Sequence, residues 1–329
     1  MKNLSKLMKL LLVLALVFTM AVPAFAEYQE LTEEQFSQLD EALRDESKDL
    51  PIAEEFRIKV DPNDLSAVEG LDKDVINILL LGTDTGNINL NYGRTDTMII
   101  MSVNKVTGKI KLASLVRDMQ VNIPFHNRGY KINAANAFGG PLLAIKTVNE
   151  TFGLNIRHYV SINFSGFTKV IDSLGGVEME LVGGEAMLVG VPYSTEPVLL
   201  NGEQALNYVR IRQLDDNFGR NERQRKLLSS LFNKMLSTSD MQSAMAALTE
   251  SLKHMATNLS ISDLMTLVIP VFSGMDEMET TGFPVKGDYY GKSVETTQGM
   301  ETIMHSVIMF NKEKTTQKMH EYFYGIVTP

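Results

Sequence analysis

The sequence predicts a layered α/β/α domain with a central mixed sheet covered by helices. Three observations predict it. The apolar run Val75 to Leu81, closed by Gly82, has the length and composition of a strand buried on both faces. Two more strand-like runs, Thr97 to Val103 and Lys109 to Leu115, flank the turn-like Asn104 to Gly108 and form a hairpin. Beyond them, helical and strand patterns alternate, as they do where helices cover a sheet.

Two segments precede that domain. Residues 1–26 carry Lys2, Lys6 and Lys9, an apolar stretch from Leu10 to Val22, and the small-residue site Ala24-Phe25-Ala26. This is the pattern of a secretory signal peptide cleaved before Glu27, the other reading being a retained anchor. Residues 27–74 hold sixteen acidic against five basic side chains, so the chain's net charge of −9 belongs to this leader and the body is nearly neutral. The leader reads as an amphipathic helix (Thr32 to Ser47) and a linker punctuated by Pro51 and Pro62. A near-neutral body excludes a nucleic-acid binder. The chain has no cysteine, so an exported form relies on its core rather than on disulfides.

Within the body, residues 75–329, an irregular stretch is expected up to Lys131, then a helix from Asn133 to Phe152 interrupted at Gly139-Gly140-Pro141. A strand (His158 to Asn163), a helix (Ser165 to Leu174) and a strand (Val177 to Val182) follow. Residues 183–200, with three glycines and two prolines, read as a long loop. Asn201 and Gln204 form a capping box for a helix ending near Arg210. Helical periodicity runs from Asn221 through Phe272, a strand is expected at Glu279 to Pro284, and one or two helices close the chain from Thr297.

Three clusters carry chemistry. Asp84 lies just past the first strand and Asp96, after Arg94, just before the second; their carboxylates could meet at one sheet edge and hold Mg²⁺, or merely cap turns. Arg117 and Asp118 stand at the mouth of the third strand, with Lys131 downstream; the arginine fork suits phosphate oxygens, though a surface pair would look the same. Five arginines fall between 210 and 225, of which Arg210 and Arg212 end one helix and Arg220 starts the next. These could converge on one anion, or serve a solvated face. The 19 methionines fit a core or a pocket for an irregular apolar ligand.

In order, Leu81-Gly82-Thr83-Asp84, Gly93-Arg94-Thr95-Asp96-Thr97, Ser114-Leu115-Val116-Arg117-Asp118, Lys131-Ile132-Asn133, Gly175-Gly176-Val177, Tyr208-Val209-Arg210-Ile211-Arg212 and Asn217-Phe218-Gly219-Arg220 to Gln224 resemble the motifs of the LytR-CpsA-Psr family of cell-wall phosphotransferases. The resemblance implies transfer of a glycopolymer phosphate, teichoic acid or capsule-like, from a polyprenyl-pyrophosphate carrier to a peptidoglycan acceptor. It places the enzyme outside the membrane or in the cell wall of a Gram-positive-type bacterium, touching the membrane surface through its lipid substrate. Asp84 and Asp96 match the magnesium-associated aspartates; Arg94, Arg117, Lys131, Arg210, Arg212, Arg220 and Gln224 match the pyrophosphate-binding set, and Arg117, Asp96 and Arg220 are the catalytic candidates. Two residues depart from the pattern: Val116 replaces a proline, and Asn217 an aspartate. A hydrolase of the carrier pyrophosphate, or a non-catalytic binder of it, are the alternatives.

Overall fold

The computed structural model describes residues 57–83, 92–125, 129–237, 253–260, 262–264, 266–267, 278–298 and 301–326. The signal peptide, the leader helix, Asp84 and part of the stretch expected to be helical up to Phe272 lie outside them.

The central sheet has six strands in the order β10-β3-β2-β1-β6-β9. They are β1 (Val75–Thr83), β2 (Thr95–Asn104), β3 (Ile110–Leu115), β6 (His158–Asn163), β9 (Met255–Thr257) and β10 (Met278–Phe283). β1 pairs with β6, and β3 with β10, in parallel; the other pairings are antiparallel, so the sheet is mixed. β1 runs through the middle because both its faces are apolar. Leu79 and Leu81 join Met98, Ile100, Ala113 and Leu115 on one face, while Ile78 joins Ile99, Val103, Ile110 and Leu112 on the other.

Helices cover both faces. α1 (Ala134–Phe152) and the C-terminal α6 (Lys312–Tyr324) supply Leu143, Ile145, Val148, Met319 and Phe323 to the first core, and α5 (Asn217–Ser237) lays Leu228 and Phe232 against the second. The break in α1 is where the sequence puts it. Gly140 has φ 72°, and a Cβ there would sit 2.9 Å from the Tyr92 ring, so only glycine fits. A third core lies beneath α2 (Phe164–Ser173), α3 (Gly183–Val189) and α4 (Gly202–Arg210), around Tyr208, Leu200 and Ile171. The end of the acidic stretch packs against the body: Ile58 and Leu65 are buried in the first core, and Lys146 binds Asp64 at 3.0 Å.

Four expectations are corrected. The irregular stretch before Lys131 contains a hairpin, β4 (Gln120–Asn122) with β5 (Gly129–Lys131). The long loop after residue 182 contains α3 and β8 (Val198–Leu200), which pairs with β7 (Val177–Met179). α3 is too short for helical periodicity to stand out among its glycines. α5 begins at Asn217, so Gly219 and Arg220 lie in its first turn rather than in a loop. Most plainly, residues from Thr297 form no helix at first: β11 (Tyr289–Gln298) and β12 (Glu301–Phe310) make a long hairpin, and α6 follows. The run Met304 to Phe310 is apolar enough for either structure, and pairing with β11 decides it.

Gly202 shows how tightly α4 is set against α2. A Cβ there would lie 2.3 Å from the Thr168 carbonyl oxygen. Gly202→Ala should therefore cost about 1–3 kcal/mol of unfolding free energy through overpacking, read as a lower urea midpoint.

Candidate active site

The register of the sheet creates one functional edge. β1 and β3 both run antiparallel to β2, so the C-terminal ends of β1, β3, β6 and β10 share one side with the N-terminal end of β2. Thr83 faces Thr95 on one flank and Asn163 on the other. Ligands of such sheets gather at the carboxyl ends of the strands, where loops can be shaped without disturbing the ladder.

Asp96, the second residue of β2, is the hub of that edge. Its Oδ1 accepts a hydrogen bond from Arg117, and its Oδ2 one from Arg212 Nη2 at 2.8 Å. Burial works to raise the Asp96 pKa, but the charges of Arg117, Arg220 and Arg212 outweigh it and hold the carboxyl below its ordinary value. Arg117 leaves the end of β3 between two carboxylates, since Asp118 Oδ2 is 3.5 Å from its Nε. Lys131, at the end of β5, reaches Asp118 Oδ1 at 3.2 Å, and Asn217 Nδ2 donates to Asp118 Oδ2 at 2.7 Å.

Arg220 is the exceptional member. Its side chain comes from the first turn of α5, only 2% of the residue is exposed, and among the described residues all three guanidinium nitrogens lack a hydrogen-bond partner. Burial, with Arg117 and Arg212 nearby, brings its pKa down to about 10, although Asp96 and Asp118 oppose the shift. It stays protonated at neutral pH. A buried cation without hydrogen bonds is costly, and an anion with several oxygens would relieve that cost. Thr95 Oγ1, Ser114 Oγ and Asn133 Oδ1 are also buried there without partners.

Three other predicted residues lie on, or next to, the elements that build this centre. Arg210, exposed at the end of α4, stacks over Phe164 with 4.6 Å to the ring centroid, which sets it beside the end of β6. Arg94 is half-buried immediately before β2. Gln224 is buried on the Arg220 face of α5, four residues on, with its Oε1 lacking a partner. Asp84 lies outside the described residues. Among the described residues no group of three or more metal-ligating side chains exists.

Three contributors had no role assigned to them from the sequence. Asp118 ties Arg117, Lys131 and Asn217 together. Arg223 clamps the chain between α4 and α5, binding Asp215 at 2.8 and 2.5 Å and the Ile211 carbonyl at 2.9 Å. That clamp fixes the short segment bearing Arg212. Phe164 is the platform for Arg210. Arg223 belongs to the visible arginine series, but nothing in its spacing separates a clamp from a ligand. Asp216, the carboxylate next to Asn217, accepts the Phe218 and Gly219 backbone N–H groups at 2.9 and 3.2 Å and caps α5.

Comparisons with known proteins identify the family. The family model described as LytR_cpsA_psr matches residues 31–314. The chain is 36% identical over 229 residues, 67% of its length and 75% of the relative's, to the polyisoprenyl-teichoic acid–peptidoglycan teichoic acid transferase TagU of Enterococcus faecalis. It is 30% identical over 236 residues, 67% of its length and 72% of the relative's, to the TagT transferase of Bacillus subtilis. A solved structure described as TagT bound to LIIa-WTA superposes with a TM-score of 0.59 at 26% identity, covering 81% of this chain and 94% of the other. By motif order, family model and fold alike, the chain belongs to the LytR_cpsA_psr family.

Proposed function

We propose that this chain is an exported transferase that moves a teichoic-acid-type glycopolymer phosphate from a polyprenyl-pyrophosphate carrier to peptidoglycan, on the outer side of the membrane. The names of its relatives support the reaction class. The observation that carries it is the buried, hydrogen-bond-free guanidinium of Arg220 beside Arg117 and Arg212. Such a centre suits a dense, multiply charged anion, and a pyrophosphate has that charge.

In this reading an acceptor hydroxyl attacks the polymer-bearing phosphorus, the bond to the bridging oxygen breaks, and polyprenyl phosphate leaves. Phosphoryl transfer leaves the protein mainly the tasks of positioning and charge stabilisation. Arg220 and Arg117 face the oxygens that gain charge, Arg212 and Arg210 hold the outer phosphate oxygens, and Lys131 and Asp118 keep Arg117 in place. Asp96, held ionised below its ordinary range, braces the arginines and is a weak base at neutral pH. The resemblance also implies Mg²⁺. An ionised carboxylate such as Asp96 is a fitting hard-oxygen ligand, with Asp84 as its partner, and the ion would neutralise charge on the phosphate oxygens.

The direct test supplies full-length protein and Mg²⁺ with a lipid-linked glycopolymer and peptidoglycan fragments. Polymer transfer is expected, and Asp96→Ala should weaken the metal dependence. Neither transfer nor pyrophosphate cleavage in the wild type would sink the proposal. Release of polymer phosphate without acceptor would mark a hydrolase instead.

Arg117→Ala should cost about 2–4 kcal/mol of transition-state stabilisation, roughly a 30- to 10³-fold drop in kcat, as removal of a preorganised donor does. Arg210→Ala should act in the same direction. A change under about threefold would make these arginines surface residues.

Arg220→Met separates function from stability. Because the folded state suppresses the Arg220 pKa, its charge opposes folding throughout the range below about 10, and that penalty shrinks only as pH rises through this value. The methionine variant should therefore match or exceed the wild-type Tm while losing turnover. Added pyrophosphate should raise the wild-type Tm and leave the variant's nearly unmoved.

One observation favours the non-catalytic alternative: Asn217 is a hydrogen-bond donor where the family pattern has an acid. Under the transferase reading, Asn217→Asp replaces a hydrogen-bond donor to Asp118 with a second carboxylate, and turnover at neutral pH should fall. A large gain at neutral pH, from a wild type with little turnover, would support the binding-only reading.

A further inference from the structure

Residues 181–193, the stretch containing α3, hold a single charged side chain, Glu185. It is turned inward: Glu185 is buried, accepts the Val182 backbone N–H at 3.1 Å and lies 3.5 Å from Arg223. Ala186 and Val189 also face the third core. What α3 and its flanks turn outward is apolar. Met187 is 74% exposed, Val182 and Tyr193 are each 63% exposed, and Leu214 joins them from the segment before α5. These side chains surround the glycines that open the helix, where a Cβ on Gly183 would meet the Tyr193 ring at 4.0 Å and one on Gly184 would meet Leu214 at 3.1 Å. A single exposed apolar residue means little, whereas a group of four with no charge among them marks a docking surface.

We infer that this rim, Val182, Met187, Tyr193 and Leu214, docks the protein on the surface of an anionic lipid bilayer. The inference rests on the reading that the substrate is a lipid-linked pyrophosphate. Its position argues for that occupant. Leu214 is two residues from Arg212, which holds Asp96, so the apolar rim is continuous with the candidate site. Arg210 and Arg212 beside it, the cations given to the substrate phosphate above, are exposed and also complement acidic headgroups, while Asp215 and Asp216 next to Leu214 are engaged by Arg223 and by the first turn of α5. Apolar side chains with an adjoining aromatic and flanking arginines are the composition of a segment that lies in the interface without crossing it. Among the described residues no helix is long and apolar enough to span a membrane. A pyrophosphate carried on a membrane lipid has its shortest path to Arg220 when this edge approaches the headgroups.

The absence of cysteine permits a direct test in the full-length chain. Met187→Cys carries an environment-sensitive fluorophore, and Val106→Cys carries the same label as control. Val106 is 69% exposed in the β2–β3 turn, at the opposite edge of the sheet. Vesicles of phosphatidylcholine with a minority of phosphatidylglycerol are added, with and without headgroup-region nitroxide lipid. Emission at 187 should shift to the blue and be quenched several-fold more than at 106. Because the label reports its own depth, tethering through another segment leaves it wet. Equal solvation at both positions on vesicle-bound protein overturns the inference, as does burial of the 187 label by a second copy of the chain, seen as a concentration-dependent shift without vesicles. The double variant Met187→Glu with Tyr193→Glu should lower kcat/KM for bilayer-embedded substrate about tenfold and spare turnover of the same substrate in detergent micelles. Equal loss in both would overturn docking, while absence of turnover in any medium would overturn the transferase reading and leave the fluorescence result to decide docking alone.

Discussion

Arg220 carries a charge into a place where the protein gives it no hydrogen bond. Its guanidinium is enclosed at the sheet edge with Arg117 and Arg212 close enough to oppose its ionisation, and the countercharge comes from Asp96 and Asp118. Most of the surrounding construction makes that arrangement tolerable. Arg223 clamps the neighbouring segment, Asp216 caps the helix on which Arg220 rides, and Asn217 ties that helix to Asp118. A fold selected for stability alone would fill the space with carbon. Keeping it cationic is the type of local conflict that active sites retain and the rest of the molecule offsets.

The sheet makes the conflict useful by fixing register. Asp96 meets Arg117 and Arg212 because β2 is held at Thr97 against Gly82 and at Ile99 against Ser114. Side chains alternate faces along a strand, so a slip of one residue in β2 would send Asp96 to the other side, taking the carboxylate from Arg212 and leaving Arg117 and Arg220 with Asp118 alone. The close approach of Thr97 to Gly82, where a Cβ would lie 2.9 Å from the threonine Cβ, keeps β1 and β2 in this setting. The apolar identities that bury β1 on both faces are therefore also what aligns the charges.

Much of this was legible before any coordinates. β1, the β2–β3 hairpin, β6, the interrupted α1 and the Asn201–Gln204 capping box follow from local rules, and in each the tertiary structure agrees with local preference. The β11–β12 hairpin did not follow, because its second strand is an apolar run that a helix could use equally well and only its partner decides. At the site, the arginines were visible as residue types, but spacing could not separate Arg220, which is buried without a hydrogen bond from the described residues, from Arg223, which holds the backbone. Nor could it show that Asn217 donates to Asp118 or that Asp216 is occupied as a cap. Those roles depend on partners about a hundred positions distant or on which way one helical turn faces.

The C-terminal hairpin also sets a condition on when the site exists. Ile308 donates its backbone N–H to the carbonyl of Asp118 at 2.8 Å, and Tyr289 stacks on Phe218 at 4.5 Å beside the start of α5. The residue next to Arg117 and the turn that presents Arg220 are thus both buttressed by strands synthesised near the end of the chain. A polypeptide that emerges from the N-terminus onward carries every predicted arginine of the site before it carries these supports. Its charges are complete early and their alignment late, so the growing chain passes through a stage with the cations of the cluster but without the frame that holds them together.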